Sequence, residues 1–250
     1  VLGGPLNNYD TAEGTNNVVM HERSNEVSPL TAWRWQADYS LPLTHKRKLE
    51  LGYQFRSVQH GGDFTFERLN LRTDKWETDP EFSDEMNLRQ QIHAAYGQFG
   101  GERNRFSYSL GLRAEYMDRT LTHRLGKQPF EYRKLNLFPT VQGLWKLKND
   151  QTIRLAYSRR IDRPTTKLMS PFKNHRHAET IELGDPNLRP EIADVLELSY
   201  VRAWNQVTFT GTTYVNYLTD KVFRVTDIYS RTILWRTYTN AFTATSAGAE

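Results

Sequence analysis

Apolar and polar residues change places at every step along "FSYSLGLRAEY". Phe106, Tyr108, Leu110, Leu112, Ala114 and Tyr116 fall on one side, and Ser107, Ser109, Gly111, Arg113 and Glu115 on the other. A period of two over that length specifies a β-strand with one apolar face. "TAWRWQADYSL" repeats the pattern, with Trp33, Trp35, Ala37, Tyr39 and Leu41 opposite Arg34, Gln36, Asp38 and Ser40. So does "LELGYQF", with Leu49, Leu51, Tyr53 and Phe55 opposite Glu50, Gly52 and Gln54. Weaker copies place Leu135, Leu137, Val141 and Trp145 together, then Ile153, Leu155 and Tyr157, then Leu196, Leu198 and Tyr200, then Val207, Phe209, Val215 and Tyr217. With "QIHAAYGQF" and the final "RTYTNAFTATSAGAE", the reading predicts about nine strands. Several reach the roughly 9 to 11 residues that a tilted bilayer crossing needs, beyond the roughly 5 or 6 of sandwich strands. Helical spacing is sustained nowhere.

The connections alternate in length. Short ones occur at residues 42–48, 100–104, 147–151 and 203–206, and long ones at about 59–87, 119–130, 161–192 and 220–231. A meander with every short turn at one end and every long loop at the other is the layout of an antiparallel up-and-down transmembrane β-barrel. A Greek-key sandwich does not sort its loops in this way. The long connections read as solvated loops with no core of their own. Pro139, inside "LNLFPTVQGLW", removes a ladder donor and predicts a bulge or the edge of a shorter strand.

Composition permits this reading. Only 38% of the 250 residues are hydrophobic and no apolar run approaches the roughly 18 residues of a spanning helix, yet barrel strands need lipid-facing residues only at alternate positions. The 31 aromatic residues (Tyr 13, Phe 12, Trp 6) suit both strands and bilayer interfaces. Cysteine is absent, which excludes disulfides and thiolate chemistry. A net charge of +4, with basic residues scattered, argues against nucleic acid as a partner. Nucleophile-elbow, Walker and dinucleotide-binding motifs are missing, and "HERSN" at His21 lacks the second histidine of a zincin helix, so neither an enzyme nor a cofactor is expected. A soluble all-β glycan-binding module or hydrolase would require the aromatic residues to be buried between two sheets.

In the barrel reading Arg34, Asp38, Glu50, Gln54, Arg113, Glu115, Arg154 and Glu197 point into the lumen, lining a water path or holding an internal plug. Trp33, Trp35, Tyr39, Tyr53, Tyr108, Tyr116, Trp145, Tyr157 and Tyr200 form lipid-interface girdles. Arg159, Arg160, Asp162 and Arg163 make a charged knot at a strand end, suited to rim salt bridges and to an anionic ligand or lipopolysaccharide. His175, His177, Glu179 and Glu182 could converge on a metal, although a solvated loop that happens to hold two histidines accounts for them as well.

Two segments carry a family resemblance. "IRLAYSRRIDRP", with Ser158, Arg159, Arg160, Arg163 and Pro164, is followed by a polar stretch. Then comes "GDPNLRPE", from Gly184 through Asp185, Pro186, Asn187, Leu188, Arg189 and Pro190 to Glu191. Together they resemble the barrel of TonB-dependent outer-membrane receptors, of the Bacteroidetes-type outer-membrane β-barrel group, with Asp185 and Arg189 in place of the usual asparagine and lysine. The other strand segments agree with that family in order and spacing. The resemblance implies a barrel of about 22 strands in the outer membrane of a Gram-negative cell. Its lumen would be filled by an N-terminal plug, and a TonB complex would pull on that plug to import a siderophore, cobalamin, glycan or peptide. It makes outer-membrane lipid and lipopolysaccharide the surroundings and a surface lipoprotein a further candidate partner. On this view residues 1–250 are part of one barrel domain from the middle or later part of a receptor, without plug or TonB box. A non-transport barrel serving adhesion, secretion or assembly is the alternative.

Overall fold

The computed structural model describes residues 5–10, 17–126, 128–177, 180–231 and 233–250. In chain order the elements are β1 (Pro5–Asp10), β2 (Asn17–Val27), β3 (Leu30–Leu43), β4 (Arg47–Asn70), β5 (Lys75–Thr78), β6 (Asp84–Arg103), β7 (Phe106–His123), β8 (Phe130–Lys146) and β9 (Gln151–Asp162). A one-turn helix α1 (Thr166–Met169) follows, then β10 (Asn174–His177), β11 (Thr180–Glu182), β12 (Glu191–Ala203), β13 (Thr208–Thr219), β14 (Val222–Ile228), β15 (Leu234–Asn240) and β16 (Ala244–Ala249).

One antiparallel sheet runs in the order β1, β2, β4, β6, β7, β8, β9, β12, β13, β16. β2 and β3 pair with successive stretches of β4, so they form one wall strand interrupted at Ser28 and Pro29, where the Gly61 N–H donates to the Pro29 carbonyl at 2.9 Å. Counted this way the wall has ten strands among the described residues, each paired with its neighbour in the wall, and its two edges do not meet. The short turns lie together at one end. Their sharp reversals use left-handed backbone at His45 (φ 62°), Lys46 (57°), Asn104 (55°), Asn149 (56°) and Asp150 (53°). Positive φ at such positions matches the twist of the strands a tight hairpin joins.

The other end departs from the loop reading. β4 runs 24 residues and β6 runs 20, so most of the stretch from Gln59 to Asn87 is strand. Between β9 and β12 the chain forms α1, β10 and β11, and β14 and β15 form a hairpin. β10, β11, β15 and β14 make a second, four-stranded sheet in which β11 and β15 run parallel. These segments do pack a core, contrary to the sequence expectation. Met86, Leu88, Leu121, Met169 and Leu188 are buried in one cluster, and Phe64, Phe66, Phe82 and Ile181 in another. Each such side chain contributes roughly 1.5–3 kcal/mol when buried.

The sequence pattern explains why. Along β7 the apolar positions are even-numbered up to Tyr116, then switch to Met117 and Leu121, while Asp118, Thr120 and Thr122 take the other side. β4 switches in the same way after Phe55, to Val58, Phe64 and Phe66, and β6 carries Ile92, Leu88 and Met86 on the matching face. A strand whose alternation changes sign keeps its geometry but exchanges which face seeks burial.

At Pro139 one of the two expectations, the bulge, is corrected. β8 pairs with β7 straight through Pro139, opposite Leu112, with no register shift and hence no bulge. Its ladder with β9 begins only at Thr140, opposite Ser158, so the missing donor falls where pairing on that side has already stopped.

Candidate functional site

The faces follow from register. The upper segments pack on the side that carries Met86, Leu88 and Leu121, here called the inner face. Arg34, Asp38, Glu50, Gln54, Arg113, Glu115, Arg154 and Glu197 share it. Strand-crossing and same-strand hydrogen bonds tie many of them into a belt. Arg34 Nη2 donates to Gln36 Oε1 (2.7 Å), Gln36 Nε2 to Asp38 Oδ2 (2.7 Å), and Gln54 Nε2 to Gln36 Oε1 (2.9 Å). The Tyr96 hydroxyl donates to Asp38. Arg113 donates to Gln54 Oε1 (2.8 Å) and to Glu115 Oε1 (2.6 Å), with its guanidinium 5.3 Å from the Tyr96 ring centre. Glu115, 7% exposed, also pairs with Arg163 from beyond the end of β9. Arg154 pairs with Glu197, and Lys48 with Glu50 at 2.6 Å. Linked charges and amides of this kind hold one another in place, because each ordered group lowers the entropy cost of its neighbour.

Arg56 is the exception, directly opposite Arg34 on this face. Among the described residues the Arg56 guanidinium has no hydrogen-bonding or ionic partner. Gln36, placed on the polar face but not among the lumen residues, and Tyr96, not singled out at all, are further belt members. Their signal was parity, since both occupy polar-face positions, but Ile92 and Ala94 blur the alternation around Tyr96.

The opposite face is apolar. Leu51, Leu110, Leu112, Leu137, Val141, Leu155, Leu196, Leu198 and Val215 are each 44–52% exposed on it. Side by side on paired strands, they make a contiguous apolar surface beyond what a water-soluble monomer presents. All nine aromatic residues singled out above lie on this face. Trp33, Trp35, Tyr53, Tyr116 and Tyr157 sit toward the long-strand end, Tyr108, Trp145 and Tyr200 toward the turns, and Tyr39 between.

The charged knot is divided between the faces. Arg159 lies on the apolar side and donates from Nε and Nη2 to the two Asp194 carboxylate oxygens (2.8 and 2.9 Å), joined by the Tyr157 hydroxyl (2.5 Å). Arg160 lies on the inner side against Ser158 (3.2 Å), and Arg163 reaches Glu115. Alternation along β9 forces this separation. Of the metal candidates, Glu179 and the side chains of His175 and His177 lie outside the description, and Glu182 is held by Lys167 at 3.2 Å.

The segment from Gly184 to Glu191 is bracketed from every side. The Gly184 and Asp185 N–H groups donate to the carbonyls of Ser170 (2.8 Å) and Leu168 (2.9 Å). A Cβ at Gly184 would stand 2.5 Å from both the Leu168 oxygen and the Ser170 nitrogen. Asp185 Oδ1 accepts from the Asn187 N–H (2.9 Å), Leu188 is fully buried, and Asn240 exchanges two hydrogen bonds with the Arg189 backbone (2.7 and 3.0 Å). Glu191 accepts from the Val222 N–H at 2.7 Å, and Arg189 pairs with Asp220 at 2.7 Å. Beneath lies Arg119, 2% exposed, donating to the Leu188 carbonyl (2.7 Å) and the Pro186 carbonyl (3.4 Å) with its guanidinium 5.1 Å from the Tyr132 ring centre. Burial pulls the Arg119 pKa below its ordinary value, opposed by nearby Tyr132 and Asp185, and burial pushes the Tyr132 phenol up.

Comparison with known proteins adds the following. The family model described as "Outer membrane protein beta-barrel family" matches residues 5–250. Among solved structures, the chain is similar to the copper transporter OprC (TM-score 0.62, 16% identity), covering 92% of this chain and 34% of that one. It is similar to the ferric citrate transporter FecA in its unliganded form (0.57, 11% identity, covering 92% and 33%). It is also similar to a double mutant of the Serratia marcescens hemophore receptor HasR, in complex with its hemophore HasA and heme (0.54, 9% identity, covering 94% and 52%). The chain therefore spans about a third to a half of the length of these structures. No curated protein matches in sequence. At such identities the likeness is one of fold.

Proposed function

The chain belongs to the outer membrane protein β-barrel family, and we propose that it supplies wall and extracellular vestibule to a TonB-dependent receptor that imports a scarce nutrient. The observation that carries this reading is the polar belt on the inner face, set directly behind an apolar outer face. Buried in a core, such a belt would cost more in desolvation than it returns, whereas in a water-lined or plug-filled lumen its members stay solvated or paired.

On this reading the eight charged and amide residues of the inner face meet the plug of the same receptor, and the nine aromatics meet the bilayer interfaces. The segment from Gly184 to Glu191, with Ser158 to Pro164, sets the rim from which the upper segments fold inward. The TonB complex acts through parts outside these residues, a surface lipoprotein is a candidate partner above the rim, and the chain performs no catalysis. The cargo class is a siderophore, cobalamin, glycan or peptide.

The test is genetic. A strain lacking the receptor is grown on single sources of each cargo class, with and without a functional TonB. Failure on one source, reproduced by loss of TonB, is the expected result. Growth on every source, or a defect that TonB loss does not reproduce, contradicts import and favours a structural or adhesive barrel.

A further inference from the structure

On the outer face, register partners form rows that cross the wall. The last row before the alternation changes sign is Trp35, Phe55, His93, Tyr116 and Leu135, and the next, beyond Trp33 at its β3 edge, is Ser57, Gln91, Asp118 and Arg133. One step further come Gln59, Arg89, Thr120 and Glu131. Same-face rows are two residues apart, about 6–7 Å along the strand. The polar rows therefore stand at the height of the headgroups of the outer leaflet, immediately above the aromatic and aliphatic belt.

A depression of about 210 Å³ opens there, lined by Arg89, Gln91, Asp118, Thr120 and Arg133. Arg133 is committed, with Asp118 at 3.2 Å and Glu131 at 3.4 Å, so it offsets the nearest carboxylates. Arg89 is exposed and, among the described residues, its guanidinium has neither a hydrogen-bonding nor an ionic partner. The Thr120 side chain stands directly across from it, and Gln91 lies two residues along the same strand. A free guanidinium beside a hydroxyl and an amide is donor chemistry for phosphate oxygens.

We propose that this depression binds the phosphate of an outer-leaflet glycolipid, with Arg89 as the charged donor and Thr120 and Gln91 as neutral ones, while the acyl chains lie on Tyr116 and Leu135 below. Continuity with the lipid-facing belt selects a membrane glycolipid over a soluble phosphate. The site is independent of whether the barrel imports anything.

The full-length receptor, purified in detergent, is titrated with bisphosphorylated lipid A and read by native mass spectrometry. Parallel titrations use dephosphorylated lipid A and inorganic phosphate as competitor. Arg89→Gln is expected to weaken lipid A binding by about tenfold, the loss of one charge-assisted contact. Arg103→Gln, on the same face at the opposite rim, is expected to leave binding unchanged. Dephosphorylated lipid should bind as weakly as the Arg89 variant receptor binds intact lipid. Equal binding by wild type and Arg89→Gln, equal binding of the dephosphorylated lipid, an equal loss in Arg103→Gln, or full displacement by inorganic phosphate would each overturn the proposal.

Discussion

Arg119 is a buried cation whose hydrogen bonds go to backbone carbonyls and the Met169 sulfur, and its position makes it the pin of the rim. Replacing it by methionine keeps the volume and leaves the Leu188 and Pro186 carbonyls short of a donor, at a cost of about 1–3 kcal/mol. Limited proteolysis should then cut within residues 164–190 well before the wall opens; cleavage no faster than in the wild type would deny Arg119 this role. Gly184→Ala should act at the same place, because its methyl group would collide with backbone rather than with a side chain that can turn aside. A cost of about 1–3 kcal/mol, as for overpacking, is expected in the same assay. Arg56 predicts the opposite sign. Facing Arg34 across the ladder, it is a like-charged pair, and Arg56→Glu should stabilise the wall by up to about 1 kcal/mol in urea unfolding from lipid vesicles. Destabilisation there would mean that both cations are already satisfied by an anion in the lumen.

At the scale of the element, the membrane boundary is written as a change of phase within single strands. Leu112→Arg, in the apolar belt of β7, should cost about 2–4 kcal/mol, whereas Asp118→Arg, six residues on along the same face, should cost no more than about 1 kcal/mol, from the lost pair with Arg133 and the like charge set opposite it. A flat response along β7 would remove the boundary from where the alternation places it. The same phase change decides what could be read beforehand. The transmembrane halves of β3, β4 and β7 were legible because one face is uniformly apolar and the other polar. Their upper halves looked like loops because alternation seemed to lapse, when in fact Met117, Leu121, Phe64 and Phe66 had moved the apolar residues to the inner side. Tyr96 was hidden by neighbours of mixed character, whereas Gln36 already stood on the polar face of a strictly alternating strand. Arg119 could not be found at all, since a single arginine in "MDRTLTH" gives no sign that a segment almost 70 residues later folds onto it. The knot from Arg159 to Arg163 was visible as charge, but only the strand geometry sends its members to different faces.

For the whole molecule, the fold, the family and the apolar outer face agree on a wall in the outer membrane, with its short turns at one side and its packed upper segments at the other. That orientation can be read directly, because this chain contains no cysteine to compete with an introduced one. Asp227→Cys places a thiol in the β14–β15 hairpin, and Lys148→Cys places one in the short turn between β8 and β9. Both are expressed in the full-length receptor and treated with a membrane-impermeant maleimide, first on intact cells and then after the outer membrane has been permeabilised. The account predicts that Asp227→Cys labels on intact cells and Lys148→Cys only after permeabilisation; labelling of Lys148→Cys on intact cells, or protection of Asp227→Cys there, would contradict it.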